Sequence, residues 1–228
     1  MTTIAANLQA VRSRIARAAS VAGRSGDEVA LVAVSKTFPA SLIAEAHAAG
    51  LRLFGENQAQ EAVRKITQLA HLPIEWHFIG PIQGNKTRAI AEHFEWVHSV
   101  EREKIAERLA AARPAGLPPL NVCIQVNVSG EASKGGVAPG DELALAHAIS
   151  NLPRLRLRGL MAVPAPTPDS AAQRRQFALL RGLKEQLVAR GIMLDTLSMG
   201  MSDDLEAAIR EGATMVRVGT AIFGPRRK

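Results

Sequence analysis

Short apolar runs, many of them rich in β-branched residues, alternate along the chain with stretches whose apolar residues recur at helical spacing. The apolar runs predict β-strands at residues 29–34, 52–54, 75–79, 96–98, 120–128, 155–160, 196–198 and 215–218. The intervening stretches predict helices at residues 41–49, 58–69, 86–93, 102–112, 141–150, 171–190 and 205–211. Several strands are apolar throughout, which is typical of parallel strands covered on both faces. The pattern therefore predicts repeated βα units.

The number of predicted strands distinguishes two architectures. Eight strands with intervening helices favour a closed (β/α)8 TIM-type barrel over an open flavodoxin-like sheet, which is the alternative. Only residues 219–228 follow the last strand, and they are too few for a regular closing helix. Near the start of the chain, apolar residues recur at helical spacing: Ile4, Leu8, Val11 and Ile15. We therefore expect an N-terminal helix to close the ring of a single domain that spans residues 1–228.

The N-terminal segment has an unusual charge pattern that allows a second interpretation. It carries no acidic residue before Asp27, whereas it contains four arginines: Arg12, Arg14, Arg17 and Arg24. Organelle-targeting peptides have such a composition. Because the barrel needs a helix at this place, we prefer the amphipathic helix.

Composition narrows the class of protein. Hydrophobic residues make up 47% and charged residues 21% of the 228 residues, as in ordinary globular proteins. The apolar runs are all too short to cross a bilayer, so we expect no membrane association. Cys123 is the single cysteine, which excludes an intramolecular disulfide and agrees with a cytoplasmic location.

The net charge of +7 raises the question of nucleic-acid binding. However, basic residues are scattered among acids, apart from the terminal run at residues 226–228. The chain has no tyrosine and only 4% aromatic residues, which argues against a platform for stacking bases. We interpret the charge as a solvated surface that helps to attract a small anion.

Lys36 is the first candidate for chemistry, because it follows the first predicted strand directly. Active sites of parallel barrels lie at the C-terminal ends of the strands. A lysine in an apolar barrel mouth is desolvated, which favours the neutral amine that attacks carbonyl groups. The alternative is an ordinary lysine whose amine reaches solvent at the end of a strand.

Two glycine-containing segments after the seventh and eighth predicted strands form a candidate phosphate site. Gly200 and Gly219 allow close approach to the backbone, and Ser202 and Thr220 supply hydroxyl donors. Loops after these two strands bind phosphate in many such barrels. The alternative is that Ser202 or Asp203 caps the next helix, where Glu206 completes a capping box with Asp203.

Other strand ends are also polar, and none of them has the spacing of a metal site. Asn57 follows the second strand, and Met161 ends the sixth. His77 is either a site residue or a buried histidine with satisfied hydrogen bonds. A lysine opposite a phosphate site occurs in two classes of protein, class I aldolases and pyridoxal-phosphate proteins.

Six segments in order resemble the pyridoxal-phosphate homeostasis protein family. They are AVSKT at 33–37, FGEN at 54–57, WHFIGPIQ at 76–83, GLMA at 159–162, SMGMSDD at 198–204 and VRVGT at 216–220. The resemblance covers residues 29–224 and implies the barrel of the alanine racemase N-terminal domain, known as fold type III.

The resemblance also implies roles for seven residues. Lys36 would form the internal Schiff base with pyridoxal 5′-phosphate, and Arg217 would face the pyridine nitrogen. The phosphate would be held by Ser202, Gly219 and Thr220. Asn57 and Met161 would line the pocket. The chain departs from the family at Phe38, where a lysine is common, and at Gln58, where a tyrosine is common.

Three functions remain open at this level. The resemblance implies an intracellular carrier, expected to be a monomer, that holds pyridoxal phosphate and supplies it to apo-enzymes. The second is a small amino-acid racemase in which another base, such as His77, acts. Because the two-base racemases take a tyrosine from an additional C-terminal domain, the lack of tyrosine argues against their mechanism. The third is a class I aldolase.

Overall fold

The computed structural model describes residues 3–131 and 133–225. Within this part of the chain, eight parallel strands form a closed barrel in chain order. The strands are β1 Ala30–Val34, β2 Leu53–Glu56, β3 Glu75–Phe78, β4 Trp96–Val100, β5 Leu120–Gln125, β6 Leu155–Met161, β7 Thr196–Ser198 and β8 Met215–Val218. β1 pairs with β8 in parallel from Ala30 opposite Met215 to Ala33 opposite Val218, so the ring is closed. The (β/α)8 prediction is confirmed, and the open-sheet alternative is wrong.

Helices surround the barrel: the first precedes β1, the last follows β8, and the others connect successive strands. They are α1 Ile4–Val21, α2 Ala40–Ala48, α3 Ala59–Gln68, α4 Thr87–His93, α5 Glu103–Ala112, α6 Glu142–Ser150, α7 Ser170–Ala189, α8 Leu205–Arg210 and α9 Thr220–Phe223. Two 3₁₀ turns, Gly26–Glu28 and Gly84–Lys86, precede β1 and α4. In the described part of the chain, no helix combines the length and hydropathy that a membrane span requires. The basic run at residues 226–228 lies outside the described residues.

The N-terminal helix α1 closes the outer ring, as the sequence predicts. It packs against α2, α8 and α9, and buries its apolar stripe: Ile4, Leu8, Val11 and Ile15. The Asn7 amide donates to the Ile222 carbonyl (2.9 Å), and Arg14 forms an ion pair with Glu206 (2.7 Å). These contacts tie α1 to the segments that follow β7 and β8, which also border the candidate site.

The fifth strand is shorter than predicted. β5 ends at Gln125, although the apolar run continues to Val128. Val126 instead forms an isolated bridge with Val137, and the Asn127 amide donates to the Val137 carbonyl. The Val126 amide still donates to the Met161 carbonyl of β6 (2.8 Å), whereas from Asn127 onward the backbone pairs with the loop at Val137.

Candidate functional site

A cavity of about 350 Å³ lies at the C-terminal ends of the strands. Six of the seven residues with predicted cofactor roles line it: Lys36, Asn57, Ser202, Arg217, Gly219 and Thr220. They come from segments that follow β1, β2, β7 and β8 and from β8 itself. The parallel barrel thus brings together residues that are more than 180 positions apart in sequence.

Met161 does not line this cavity, contrary to the prediction. It is the last residue of β6 and is 1% exposed, packed inside the barrel with Trp96 and Cys123. Val163, two residues further along the chain, contributes to the wall in its place. The strand end could be predicted from the apolar run, but the direction of the Met161 side chain could not, and this side chain is buried against Trp96 and Cys123.

Buried ionic contacts hold the backbone beside Lys36. The Ser35 hydroxyl donates to Glu56 Oε1 (2.6 Å), and the Lys65 ammonium donates to the same oxygen (2.8 Å) and to the Ser35 carbonyl (2.9 Å). Lys65 also forms an ion pair with Glu61 (2.6 Å). Ser35 and Glu56 are fully buried. The strand end that carries Lys36 is therefore anchored to both β2 and α3.

Thr37, on the other side of Lys36, has an unusual backbone conformation. Its φ is +70°, a left-handed conformation that costs a non-glycine residue about 1–2 kcal/mol. Glu61 Oε1 accepts a hydrogen bond from the Thr37 amide (2.8 Å) and so stabilises this conformation. We refer to Glu56, Glu61 and Lys65 together as the lysine-65 cluster. It restrains the chain on both sides of Lys36.

Burial and ion pairing have opposite effects on the two carboxylates of this cluster. Burial raises the pKa of Glu56, and the neighbouring Lys65 ammonium only partly opposes this effect. For Glu61 the partial burial also disfavours ionisation, but the hydrogen bonds from Lys65 and the Thr37 amide outweigh it and lower the pKa. The cluster is therefore stable only while the Lys65 ammonium neutralises these carboxylates.

Arg217 places a fixed positive charge at one side of the cavity. Its guanidinium donates to Ser198 Oγ (2.6 Å) and to the Ala162 carbonyl (2.8 Å). Burial lowers the pKa of Arg217 to about 10, while the Asp204 carboxylate opposes this effect. The side chain therefore stays positively charged at neutral pH, and as a guanidinium it can only donate hydrogen bonds.

The loop after β7 is shaped by Gly200 and Asp204. Gly200 has φ +94°, and Asp204 Oδ1 accepts a hydrogen bond from the Met201 amide. Asp204 is the N-cap of α8, although its side chain makes no capping hydrogen bond. The alternative that Ser202 or Asp203 caps this helix is therefore wrong. Ser202 and Asp203 line the cavity instead, and Glu206 pairs with Arg14.

We expect Gly200→Ala to destabilise the protein by about 1–3 kcal/mol. An alanine Cβ at this position would lie 2.6 Å from the Ala208 Cβ, and the φ of +94° is strained for alanine. Urea unfolding would measure the loss. Gly182→Ala, in α7 with no atom within 4 Å of the added Cβ, serves as the control and should stabilise by about 0.5–1 kcal/mol. Equal stability of the two variants would contradict the role of Gly200.

Three further residues from the sequence analysis have clear positions. Phe38 lines the cavity and stacks on Phe223, with ring centroids 5.0 Å apart, whereas Gln58 is exposed at the start of α3. His77 is not at the cavity but is buried in the barrel, hydrogen-bonded to His98 and Glu75. Across residues 3–131 and 133–225, no group of three or more His, Cys, Asp or Glu side chains is arranged to hold a metal ion.

Comparisons with known proteins place the chain in a family. The model of the alanine racemase N-terminal domain matches residues 6–227. The pyridoxal phosphate homeostasis protein of Pseudomonas aeruginosa is 66% identical over 99% of this chain and 97% of that protein. This chain belongs to the pyridoxal phosphate homeostasis protein family. The family member from Escherichia coli K12 is 55% identical over 99% of this chain and 98% of its own length.

Solved structures support this family assignment. PipY of Synechococcus elongatus, in a structure with pyridoxal phosphate bound, is 40% identical and covers 92% of this chain and 100% of its own (TM-score 0.80). Alanine racemase of Corynebacterium glutamicum is 17% identical and covers 97% of this chain and 62% of its own (TM-score 0.70). The second likeness shows the fold alone.

Proposed function

We propose that this chain binds pyridoxal phosphate in the cavity at the C-terminal ends of the strands, as a Schiff base on Lys36. The observation that carries the proposal is the convergence of Lys36, Arg217 and the two hydroxyl residues Ser202 and Thr220 on that one cavity. PipY, a family member with pyridoxal phosphate bound, supports the assignment of the ligand.

The residues present fit the chemistry of this cofactor. When bound, pyridoxal phosphate supplies an aldehyde to a lysine amine and a pyridine ring that can act as an electron sink. Ser202 and Thr220 would donate to the phosphate, and Asn57 lies on the wall. A Cβ on Gly219 would lie 3.2 Å from the Val34 carbonyl oxygen, so the backbone here leaves little room for any side chain.

Arg217 favours the role of a carrier over that of a catalyst. A positively charged guanidinium that faces the pyridine nitrogen keeps this nitrogen unprotonated, because both groups cannot carry a proton in the same hydrogen bond. An unprotonated ring is a poorer electron sink, so reactions through a carbanion are disfavoured. The curated relatives are named as homeostasis proteins. We therefore propose that the chain holds pyridoxal phosphate, supplies it to apo-enzymes and has negligible turnover.

The first experiment is an absorbance spectrum with added pyridoxal phosphate, followed by borohydride reduction and peptide mapping. We expect a long-wavelength band that reduction bleaches, with the added mass on the peptide that contains Lys36. Transfer to an apo-enzyme, without racemisation of added amino acids, would support the carrier role. Substrate-dependent racemisation would favour the racemase. Absence of the band would refute the cofactor assignment and direct attention to aldolase substrates.

The expectations of a monomer and of a cytoplasmic location stay predictions. Size-exclusion chromatography with light scattering, in the presence and absence of pyridoxal phosphate, would test the first. A mass of about twice the 24.3 kDa of the chain would contradict it.

A further inference from the structure

A continuous chain of hydrogen bonds crosses the inside of the barrel below the candidate site. Arg217 Nη1 lies 2.6 Å from Ser198 Oγ, and this oxygen lies 2.7 Å from His98 Nδ1. His98 Nε2 lies 2.9 Å from His77 Nδ1, and His77 Nε2 lies 3.0 Å from Glu75 Oε1. None of the four separations exceeds ordinary hydrogen-bond distance. We call these five residues the cross-barrel chain.

The two ends of the cross-barrel chain lie at opposite ends of the barrel. Arg217, on β8, lines the cavity at the C-terminal ends of the strands. Glu75 is the first residue of β3 and therefore lies at the N-terminal end, where its side chain is 41% exposed. The three residues between them are completely buried. The cross-barrel chain thus connects a buried cation with a solvent-accessible carboxylate.

The chemistry of the two end groups fixes the direction of every hydrogen bond. Arg217 can only donate, so the Ser198 oxygen accepts from it and the Ser198 proton is given to His98 Nδ1. His98 must then carry its proton on Nε2 and donate it to His77 Nδ1. His77 likewise carries its proton on Nε2 and donates it to the Glu75 carboxylate. Both imidazoles are neutral and have the same tautomer in this arrangement.

The surroundings keep both imidazoles neutral. Burial lowers the pKa of His77, and burial together with the positive charge of Arg217 lowers the pKa of His98 well below its usual value. His77 also stacks on Trp96, with ring centroids 5.6 Å apart. Glu75 stays ionised, because the hydrogen bond from His77 lowers its pKa.

Other charged or titratable groups face the ends of the cross-barrel chain. At the Arg217 end, burial raises the pKa of the Cys123 thiol to about 12, so this group is uncharged, while the Asp204 carboxylate favours the charged guanidinium. At the Glu75 end, the Arg158 guanidinium lowers the pKa of Glu75 and lies over the Trp96 ring (4.7 Å). The Glu95 carboxylate also faces Glu75, since burial and, to a smaller extent, repulsion from Glu75 raise the pKa of Glu95. Because the pKa of Glu75 is nevertheless lowered, the surroundings favour a cation at Arg217 and an anion at Glu75.

We propose that Ser198, His98 and His77 are positioning residues that hold Arg217 toward the pyridine nitrogen of the cofactor, and that Glu75 sets their tautomers from the opposite end of the barrel. This inference rests on the proposed binding of pyridoxal phosphate. Without an acceptor at Glu75, the Nε2 proton of His77 has no partner, and only the rotatable Ser198 hydroxyl still connects the two imidazoles to Arg217. This hydroxyl could then turn, and Arg217 would keep only the Ala162 carbonyl as a fixed acceptor.

The tautomers can be tested in the cofactor-free protein by ¹⁵N NMR of the histidine side chains. We expect the Nε2–H tautomer for His77 and His98, and expect Glu75→Ala to abolish this preference. Glu75→Gln retains an acceptor oxygen and should retain the tautomers. The control is Glu95→Gln, which removes a carboxylate that accepts from the Trp76 amide instead of from a histidine. An Nδ1–H tautomer in the unmodified protein, or tautomers unchanged in Glu75→Ala, would overturn the proposal.

The link to the cofactor needs a second readout, the pH dependence of the long-wavelength absorbance of the loaded protein. If Arg217 is held less firmly, the ring nitrogen can gain a proton. The positive charge of the protonated ring then lowers the pH midpoint of the change in long-wavelength absorbance. We expect Ser198→Ala and Glu75→Ala to lower the midpoint by about half a unit, equivalent to ~0.7 kcal/mol, and Glu95→Gln to leave it unchanged.

The outcomes separate the two proposals. If the unmodified protein gives no long-wavelength band, the proposed function fails and the cofactor-positioning role fails with it, whatever the tautomers are. If the band forms but Glu75→Ala behaves like Glu95→Gln in the pH titration, pyridoxal phosphate binds and the cross-barrel chain has no role in positioning Arg217.

Discussion

Lys36→Ala is expected to abolish covalent binding of pyridoxal phosphate completely. Lys36 lines the cavity together with Arg217 and Thr220, and alanine offers no amine to the aldehyde. The long-wavelength band should disappear, and borohydride should fix no cofactor to the protein. Intact-protein mass spectrometry after reduction would measure this loss directly.

A matched control separates this effect from random modification of lysines. Lys104→Ala removes an exposed lysine from α5, on the outside of the barrel. It should retain the band and the mass of one reduced cofactor. If Lys36→Ala kept the same reduced adduct on another peptide, the Schiff-base assignment would be wrong. If it bound pyridoxal phosphate reversibly with no band, the phosphate and ring contacts would be sufficient for binding.

The barrel could be predicted from the sequence because its signal is local and repeated. Each strand appears as a separate apolar run, and the rule that parallel barrels place their sites at C-terminal strand ends then selects Lys36 and Ser202 without any coordinates. The same rule was less accurate for Met161. The hydrophobic pattern indicates where a strand ends, but it does not indicate whether the last side chain lines the cavity or, like Met161, is buried inside the barrel.

The lysine-65 cluster and the cross-barrel chain could not be predicted in this way. Lys65 occurs in a helical stretch where a lysine normally faces solvent, and only the closed barrel places it against β2. His77 and His98 are 21 positions apart, and each alone resembles an ordinary buried histidine. These networks depend on contacts between different βα units, and a single sequence contains no signal for such contacts.

Lys65→Met is expected to destabilise the protein by about 3–5 kcal/mol, the typical cost of removing one partner from a buried ion pair. Methionine fills a similar volume but leaves the carboxylates of Glu56 and Glu61 without their ammonium partner. Because Glu61 then orients the Thr37 amide less firmly, the segment that carries Lys36 should also lose its fixed conformation. Urea unfolding would measure the free energy, and cofactor titration would measure the loss of affinity.

Two comparisons test whether the uncompensated charge causes this loss. The double variant Lys65→Met with Glu56→Gln should be more stable than Lys65→Met alone, because the buried carboxylate charge is removed.

The second comparison is the pH dependence of the loss. Burial already raises the pKa of Glu56, and without Lys65 this pKa rises further. A raised folded-state pKa means that the carboxyl group takes up a proton as the pH falls, so the defect should shrink from pH 7 to pH 5. Lys104→Met should be neutral at both pH values. A defect that is independent of pH and unrelieved by Glu56→Gln would show that Lys65 acts by packing alone.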